Sequence, residues 1–401
     1  MTAVALGAPF RRLWTATLLS NVGDGVRAAA FPLLAVSLTR NPLLISGVAV
    51  ATQLPGLLFG LTAGWLADRF DRRRIVIAAD AVRLAFLAGL IGLIASGGAS
   101  IAVLYVVVFA SGVTDVVRNT AASTLVPSIV NREQLDVANG RMVSAEITGS
   151  EFVGPPLGGY LFGIAVVLPF AVNGGTLAIA VALVVSIPAL VGATELVAES
   201  DASHQRSDIR AGLTWLREHR DFWAVPATSI ALAITDTAWF ALLVLYVQQV
   251  LHLGSAWYGV LLAVGAVGGV SGGLLAAPLA RRAGAKKSTL TALLLAALGQ
   301  LALGTTSSVV VTAAVMATSS MAFAIWNVQV RTTIQRKVPP RLLGRIISVN
   351  RVLITAGSLL GAAVGGVAAT GLGLHAPFLL GVPVLLLALI LAARSRTAFA
   401  A

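Results

Sequence analysis

No cysteine occurs in the 401 residues, so disulfides, thiolate nucleophiles and cysteine-bound metals are excluded. Histidine is scarce. The four present (His204, His219, His252, His375) are scattered through loops and loop ends, which argues against a histidine metal site. Charge is sparse too: Asp, Glu, Lys and Arg make up 11% of the chain, against about 25% in soluble domains. That leaves too little polar surface to cover a large soluble core. No P-loop pattern is present, so ATP is not the direct energy source.

What the chain has instead is apolar length. Hydrophobic residues are 57% of it, and a bilayer core needs about 20 mainly apolar residues per crossing helix. Twelve such spans are expected, near 12–38, 43–67, 75–96, 101–126, 142–163, 166–192, 222–250, 256–280, 288–306, 309–333, 343–370 and 375–393. The 40 glycines fit helices that pack backbone to backbone in lipid. A displacement of 212 residues lays the chain on itself. Asp24 falls on Asp236, Ser46-Gly47 on Tyr258-Gly259, Gly60 on Gly272, Asp115 on Asn327 and Pro127 on Pro339. One residue out of step, Leu66 to Arg69 falls on Leu279 to Arg282. Tandem six-helix halves around a central site are a common plan of secondary transporters. The expected fold is therefore an all-α integral membrane protein of two pseudo-symmetric six-helix bundles, 1–192 and 222–401, joined by a linker at 193–221.

The formal charge of +12 could point to nucleic acid, but its placement points to topology. Most of the 28 Lys and Arg lie in or beside loops on one side, including Arg69, Arg72 to Arg74, Arg281, Arg282, Lys286, Lys287 and Arg394. The opposite loops hold only Arg40. Basic loops stay cytoplasmic, which predicts both termini inside, and no nucleic-acid partner. The first span runs into the second without a small-residue cleavage pattern, so a cleavable signal is not expected. In the linker, Ile209, Leu213 and Leu216 share one helical face with Arg210 and Arg217 off it, predicting a tethering helix at the cytoplasmic interface.

Two stretches then become recognisable. Gly64-Trp65-Leu66-Ala67-Asp68-Arg69-Phe70-Asp71-Arg72-Arg73-Arg74 resembles the cytoplasmic loop signature of the major facilitator superfamily, with Asp71 where the signature has its second glycine. The resemblance implies a conformational latch at Gly64, Asp68, Arg69, Arg72 and Arg73, favouring the outward-facing state. The second copy, Arg281 to Lys287, lacks the acid. Gly149-Ser150-Glu151-Phe152-Val153-Gly154-Pro155-Pro156-Leu157-Gly158-Gly159 in the fifth span resembles the antiporter motif of drug–proton exchangers. It implies an outer-gate element carried by Gly149, Gly154, Pro155, Pro156, Gly158 and Gly159. With Ser20-Asn21-Val22-Gly23-Asp24-Gly25, Phe31-Pro32, Leu125-Val126-Pro127 and Val338-Pro339, the chain is similar to the macrolide-efflux and enterobactin-exporter branch from Arg11 to Arg394.

A charge inside the membrane costs at least ~2.5–3.5 kcal/mol and is a functional candidate by default. At 1.5 Å per residue Asp24 lies roughly 17 Å deep and Asp236 about 20 Å, close to the middle of a core ~30 Å thick. Proton-coupling candidates are Asp24, then Glu151 and Asp236, with Asp115. Arg27 and Arg118 stand one turn from Asp24 and Asp115, so each acid can pair locally; Arg351 is the cation of the second half. Substrate contacts are expected among Asn21, Phe31, Asn119, Trp239, Phe240, Gln248, Trp326, Asn327 and Asn350, a mostly apolar pocket with a few donors. The acids favour a cationic or neutral substrate, while the arginines leave an anionic siderophore open. The expectation is a single-chain, monomeric, proton-coupled exporter of small amphipathic organic molecules such as antibiotics or secondary metabolites, working by alternating access with no cofactor in a bacterial cytoplasmic membrane. A siderophore exporter and a same-fold importer or lipid transporter stand as alternatives. With no catalytic cluster, an enzyme is not expected.

Overall fold

The computed structural model describes residues 7–123, 130, 134–186, 214–216 and 218–395. Among them there is no strand; nearly everything is helix. The helices are α1 (Ala8–Leu38), α2 (Pro42–Arg69), α3 (Arg72–Ala95), α4 (Ile101–Ser123), α5 (Leu135–Ile147), α6 (Gly154–Ile164) and α7 (Leu168–Val185). The second half has α8 (Ala224–Phe240), α9 (Ser255–Ala283), α10 (Ala285–Thr305), α11 (Val309–Lys337), α12 (Pro340–Leu372) and α13 (Ala376–Arg394). Ten described stretches are long and apolar enough to cross a bilayer on their own. The two other expected spans are α1, which carries Arg11, Arg12, Asp24 and Arg27, and the α5–α6 pair, which a π-helical segment interrupts at Thr148–Val153.

Short turns between long helices are fixed locally. Between α1 and α2 the Asn41 side-chain oxygen accepts from the Leu43 N–H at 2.9 Å. Between α2 and α3 the Asp71 carboxylate accepts from the Arg74 N–H at 3.1 Å. Asp71, the departure from the superfamily signature, thus caps a helix N-terminus that a glycine would leave open. The loop after α3 needs few residues because α3 and α4 pack side by side.

The chain divides into two compact units. The first comprises Met1–Thr39, Ala51–Ser200 and Gly254–Ala263; the second comprises Arg40–Val50, Asp201–Leu253 and Val264–Ala401. Within the first, α1 packs on α5–α6 and on α7, and α3 on α4 and α7. Within the second, α8 packs on α12 and α13, and α10 on α11 and α13. The same pairing scheme therefore recurs at equivalent helices, as the internal repeat requires. Glycine sets the closeness of the seams. A Cβ on Gly25 would sit 2.8 Å from the Gly154 Cα, so α1 and the fifth span touch backbone to backbone.

The linker expected at 193–221 lies largely outside the described residues, with Ile209 and Leu213. Leu216 is described and buried, and Trp215 stacks on His219 with ring centroids 4.2 Å apart.

Candidate functional site

The dominant polar feature of the first unit is a six-residue charge cluster on α1, α3 and α4. Each helix contributes one Asp-x-x-Arg: Asp24 and Arg27, Asp80 and Arg83, Asp115 and Arg118. The groups pair mostly across helices. Arg27 reaches Asp115 at 2.7 Å and its own Asp24 at 3.4 Å. Arg83 reaches Asp115 at 3.0 Å and is also ion-paired with Asp24. Asp24, Arg27, Asp115 and Arg83 therefore close a ring of alternating charge. Arg118 turns to Asp80, at 2.9 Å. Three acids balance three bases. The balance permits burial: the Arg83 side chain is 1% exposed and that of Asp80 2%. An unpaired charge there would face a desolvation penalty of several kcal/mol.

Of the two local pairs expected, one forms and one does not. Asp24–Arg27 does form, but Asp115 is served by Arg27 and Arg83, while Arg118 belongs to Asp80. Asp80 and Arg83 were not among the sequence candidates. Their signal was the same Asp-x-x-Arg spacing seen in the first and fourth spans. Arg27 also lies over the Phe31 ring, 5.6 Å from its centroid.

The fifth span lies along α1 beside this cluster. A Cβ on Gly149 would meet Asn21 at 2.8 Å, and one on Gly158 would press on the Val26 backbone. The opposite face of the same span meets the start of α9: Gly159 would clash with the Ser255 carbonyl at 2.8 Å, and Gly259 with the Pro156 Cα at 2.8 Å. The antiporter-like motif is thus packed between the helix bearing Asp24 and Arg27 and the first turns of α9. Glu151 sits in its π-helical segment, exposed and with no ion-pair partner among the described residues. Single π-turns inside α-helices are frequent at functional sites.

The other candidates fall into distinct settings. Asn21 donates to its own helix, at the Thr17 carbonyl, 2.8 Å. Phe31 is buried against Phe170 (5.8 Å between centroids), Trp239 is stacked on Phe378 (5.9 Å), and Trp326 is buried with its indole N–H donating to the Thr228 hydroxyl at 3.3 Å. These three rings are core packing, which leaves Phe240, 43% exposed, as the available aromatic of the set. Asn119 is exposed and accepts from Arg118 at 3.4 Å. Gln248 lies in a second π-helical segment, Tyr246–Val250. Asn327 is half-buried on α11, and the side-chain oxygen of Asn350 is buried without a hydrogen-bond partner. Asp236 is half-buried on α8 and has no hydrogen bond or ion pair among the described residues; Arg351 is exposed, likewise without an ion pair. Of the latch, Arg69 is exposed at the end of α2, while the side chains at 64, 68, 72 and 73 lie outside the described residues. Among the described residues, no group of three His, Asp or Glu gathers to hold a metal ion.

The family model for transmembrane secretion effectors matches residues 6–399. The chain belongs to that family, within the major facilitator superfamily. It is 31% identical over 378 residues to the multidrug efflux pump Tap of Mycobacterium tuberculosis, covering 91% of this chain and 88% of Tap. It is 27% identical to the Tap pump of Mycolicibacterium fortuitum over 95% and 94% of the two chains. Among solved structures it resembles the nucleoside transporter NupG (TM-score 0.82, 10% identity, 97% and 100% coverage). It also resembles a bacterial homologue of the iron transporter ferroportin in its inward-facing state (TM-score 0.77, 19% identity, 97% and 99% coverage). At those identities the two structures bear on the fold alone. As a family member the chain is a multi-pass membrane transporter and not an enzyme. Secondary transporters of this superfamily draw on an ion gradient and need no cofactor.

Proposed function

We propose that this chain exports small amphipathic organic molecules in exchange for protons, by alternating access, from a bacterial cytoplasmic membrane with both termini inside. The observation that carries the reading is the ring of Asp24, Arg27, Asp115 and Arg83. A carboxylate that takes a proton loses its attraction to its guanidinium partners. Protonating Asp24 would weaken its ties to Arg83 on α3 and to Arg27, so a chemical event at one atom becomes a mechanical one between helices. The fifth span, packed on α1 at Asn21, Gly25 and Val26 and on α9 at Ser255 and Gly259, supplies a rigid path from that event to the outer-gate motif.

Export and a drug-like cargo are supported by the similarity to Tap, which is named a multidrug efflux pump. Arg27 and Arg118 are both occupied by carboxylates, which favours a cationic or neutral cargo and leaves Arg351 as the one candidate arginine open to an anionic siderophore.

The test is substrate-driven proton movement in proteoliposomes, screened with macrolides, tetracyclines, cationic dyes and catecholate siderophores, for wild type and Asp24→Asn. The expected result is substrate-dependent proton flux that disappears in Asp24→Asn while substrate binding persists. Unchanged flux in the variant would make Asp24 structural and move the coupling site to Glu151. Substrate exchange without proton flux for any compound would sink antiport and leave a facilitator.

A further inference from the structure

Charge is divided unevenly along the chain. All 16 Asp and Glu lie before residue 237, together with 16 of the 28 Lys and Arg; the other 12 bases follow without a single acid. The first 236 residues are therefore formally neutral, and the whole net charge of +12 falls on residues 237–401. Membrane topology accounts for the bases but not for the missing acids, because orientation follows Lys and Arg while Asp and Glu weigh little in it. An acid-free half repels itself, and an anionic partner from outside the chain would relieve that repulsion.

The turn between α9 and α10 shows the imbalance at one place. In the register that lays Leu66 to Arg69 on Leu279 to Arg282, Asp68 corresponds to Arg281 and Asp71 to Gly284, while Arg73 and Arg74 correspond to Lys286 and Lys287. The second copy keeps its bases and loses both acids. Gly284 alone joins the two helices, at φ +85°, a conformation that side chains resist. Arg281 and Arg282 on the last turn of α9 and Lys286 and Lys287 on the first turn of α10 are thus held around one tight bend. No acid and no side-chain cap offsets the two lysines at the positive end of the α10 dipole.

Lys286 has partners: its Nζ donates to the Ala393 and Ser395 carbonyls at 2.8 and 2.7 Å. Those bonds draw the end of α13, with Arg394 between the two acceptors, to the same corner. Asp221 touches it through its main chain, where its carbonyl accepts from the Ser395 hydroxyl at 3.2 Å. Arg281, Arg282, Lys287 and Arg394 are exposed, and their side chains have no hydrogen bond or ion pair among the described residues.

The location selects the partner. α9, α10 and α13 are each long and apolar enough to cross a bilayer, and the four bases stand at their ends, at the level of the lipid headgroups. Leu279 and Leu391 are exposed one turn before Arg282 and Arg394, so apolar surface suited to acyl chains adjoins the charges. A soluble anion would use the bases and leave those leucines idle. We infer that Arg281, Arg282, Lys287 and Arg394 bind the phosphate headgroup of an anionic phospholipid. The site is independent of what the chain exports and of how export is driven.

The experiment is equilibrium binding of chain-labelled phosphatidylglycerol to the purified full-length protein in detergent micelles, against phosphatidylcholine with the same chains. Wild type should prefer phosphatidylglycerol by at least about tenfold, since one base at an anionic surface contributes about fivefold. Changing Arg281, Arg282, Lys287 and Arg394 together to Gln should abolish the preference. Arg281→Gln with Arg282→Gln should cut it about fivefold or more, and carries the test if the fourfold variant does not fold. Arg281→Lys, Arg282→Lys and Arg394→Lys together keep the charge and should hold the preference within about threefold. Four exposed bases elsewhere, Arg11, Arg141, Arg331 and Arg336, changed to Gln should leave it within the same margin. The inference is overturned if wild type shows no preference, or if the Gln variants of the site keep it. It is equally overturned if the four-base control loses as much, which would make the effect one of bulk charge. Free glycerol phosphate or a short DNA duplex competing as well as the lipid would assign the patch to a soluble anion or to nucleic acid instead.

Discussion

Replacing Arg83 with Met tests whether the charge ring is a closed system. The side chain is 1% exposed and serves two carboxylates on two other helices, Asp24 on α1 and Asp115 on α4. Methionine fills much of the same volume without the charge. The cluster then holds three acids and two bases, so one half-buried carboxylate charge is left uncompensated. Breaking a buried pair by removing one partner costs about 3–5 kcal/mol. For a unit of this size, a loss of about 2–4 °C per kcal/mol gives a fall of roughly 6–20 °C in the thermal midpoint, read by tryptophan fluorescence of the purified protein. Arg83→Met with Asp115→Asn restores two acids to two bases and should recover more than half of that fall. Arg83→Lys keeps the charge but loses the fork that spans two carboxylates, and should fall between wild type and Arg83→Met. A midpoint for Arg83→Met indistinguishable from wild type, or a double variant less stable than the single one, would refute the ring as an energetic unit.

Two further substitutions probe the elements around it. Gly154→Val forces a side chain into the seam where a Cβ would already lie 2.7 Å from the Gly149 carbonyl and against Gly25; transport in proteoliposomes should fall at least about tenfold, with Gly154→Ala retaining more of it. Asp71→Ala removes the side-chain acceptor for the Arg74 N–H and should lower stability by about 1 kcal/mol, whereas Asp71→Gly should cost only a few tenths; no loss for Asp71→Ala in thermal denaturation would show that the cap contributes nothing.

The twelve hydrophobic stretches could be read from the chain because span length and hydropathy are properties of consecutive residues. The Asp24–Arg27 contact was equally legible, since both groups sit one turn apart on one helix. Which arginine serves Asp115 was not, because that choice depends on how close α1, α3 and α4 come to one another. The third Asp-x-x-Arg, at Asp80 and Arg83, had the right spacing but meant little until α3 was placed against α4. The antiporter-like stretch was visible by its glycines and prolines. Its π-helical turn was not, although its cause is partly local. Pro155 and Pro156 have no N–H, so the carbonyls of Glu151 and Phe152 lose their ordinary partners four residues on, and the helix rearranges just before them. The aromatic candidates divide by packing, which residue type alone does not show: Phe31, Trp239 and Trp326 are buried and Phe240 is exposed.

The internal repeat also separates what the charges do from what the glycines do. In the first unit α1 meets the fifth span through Gly25 and Gly154; in the second, α8 meets α12 through Gly357, Gly361 and Gly365, set against Ile230, Ile234 and Ala238. Both seams are close, and both bundles use the same helix pairings. The ion-paired cluster within the spans joins α1, α3 and α4 of the first. If a charge cluster were needed simply to hold six helices together in lipid, the second bundle would require one as well. It is built with the same pairings, with alkyl and aromatic groups at the equivalent positions, and van der Waals packing between close helices is sufficient to hold such a bundle. Assembly therefore does not account for three acids, one buried and two half-buried, and three buried bases in the first bundle. A cluster that is dispensable for packing and expensive to desolvate is better explained by what its charges do when one of them is neutralised.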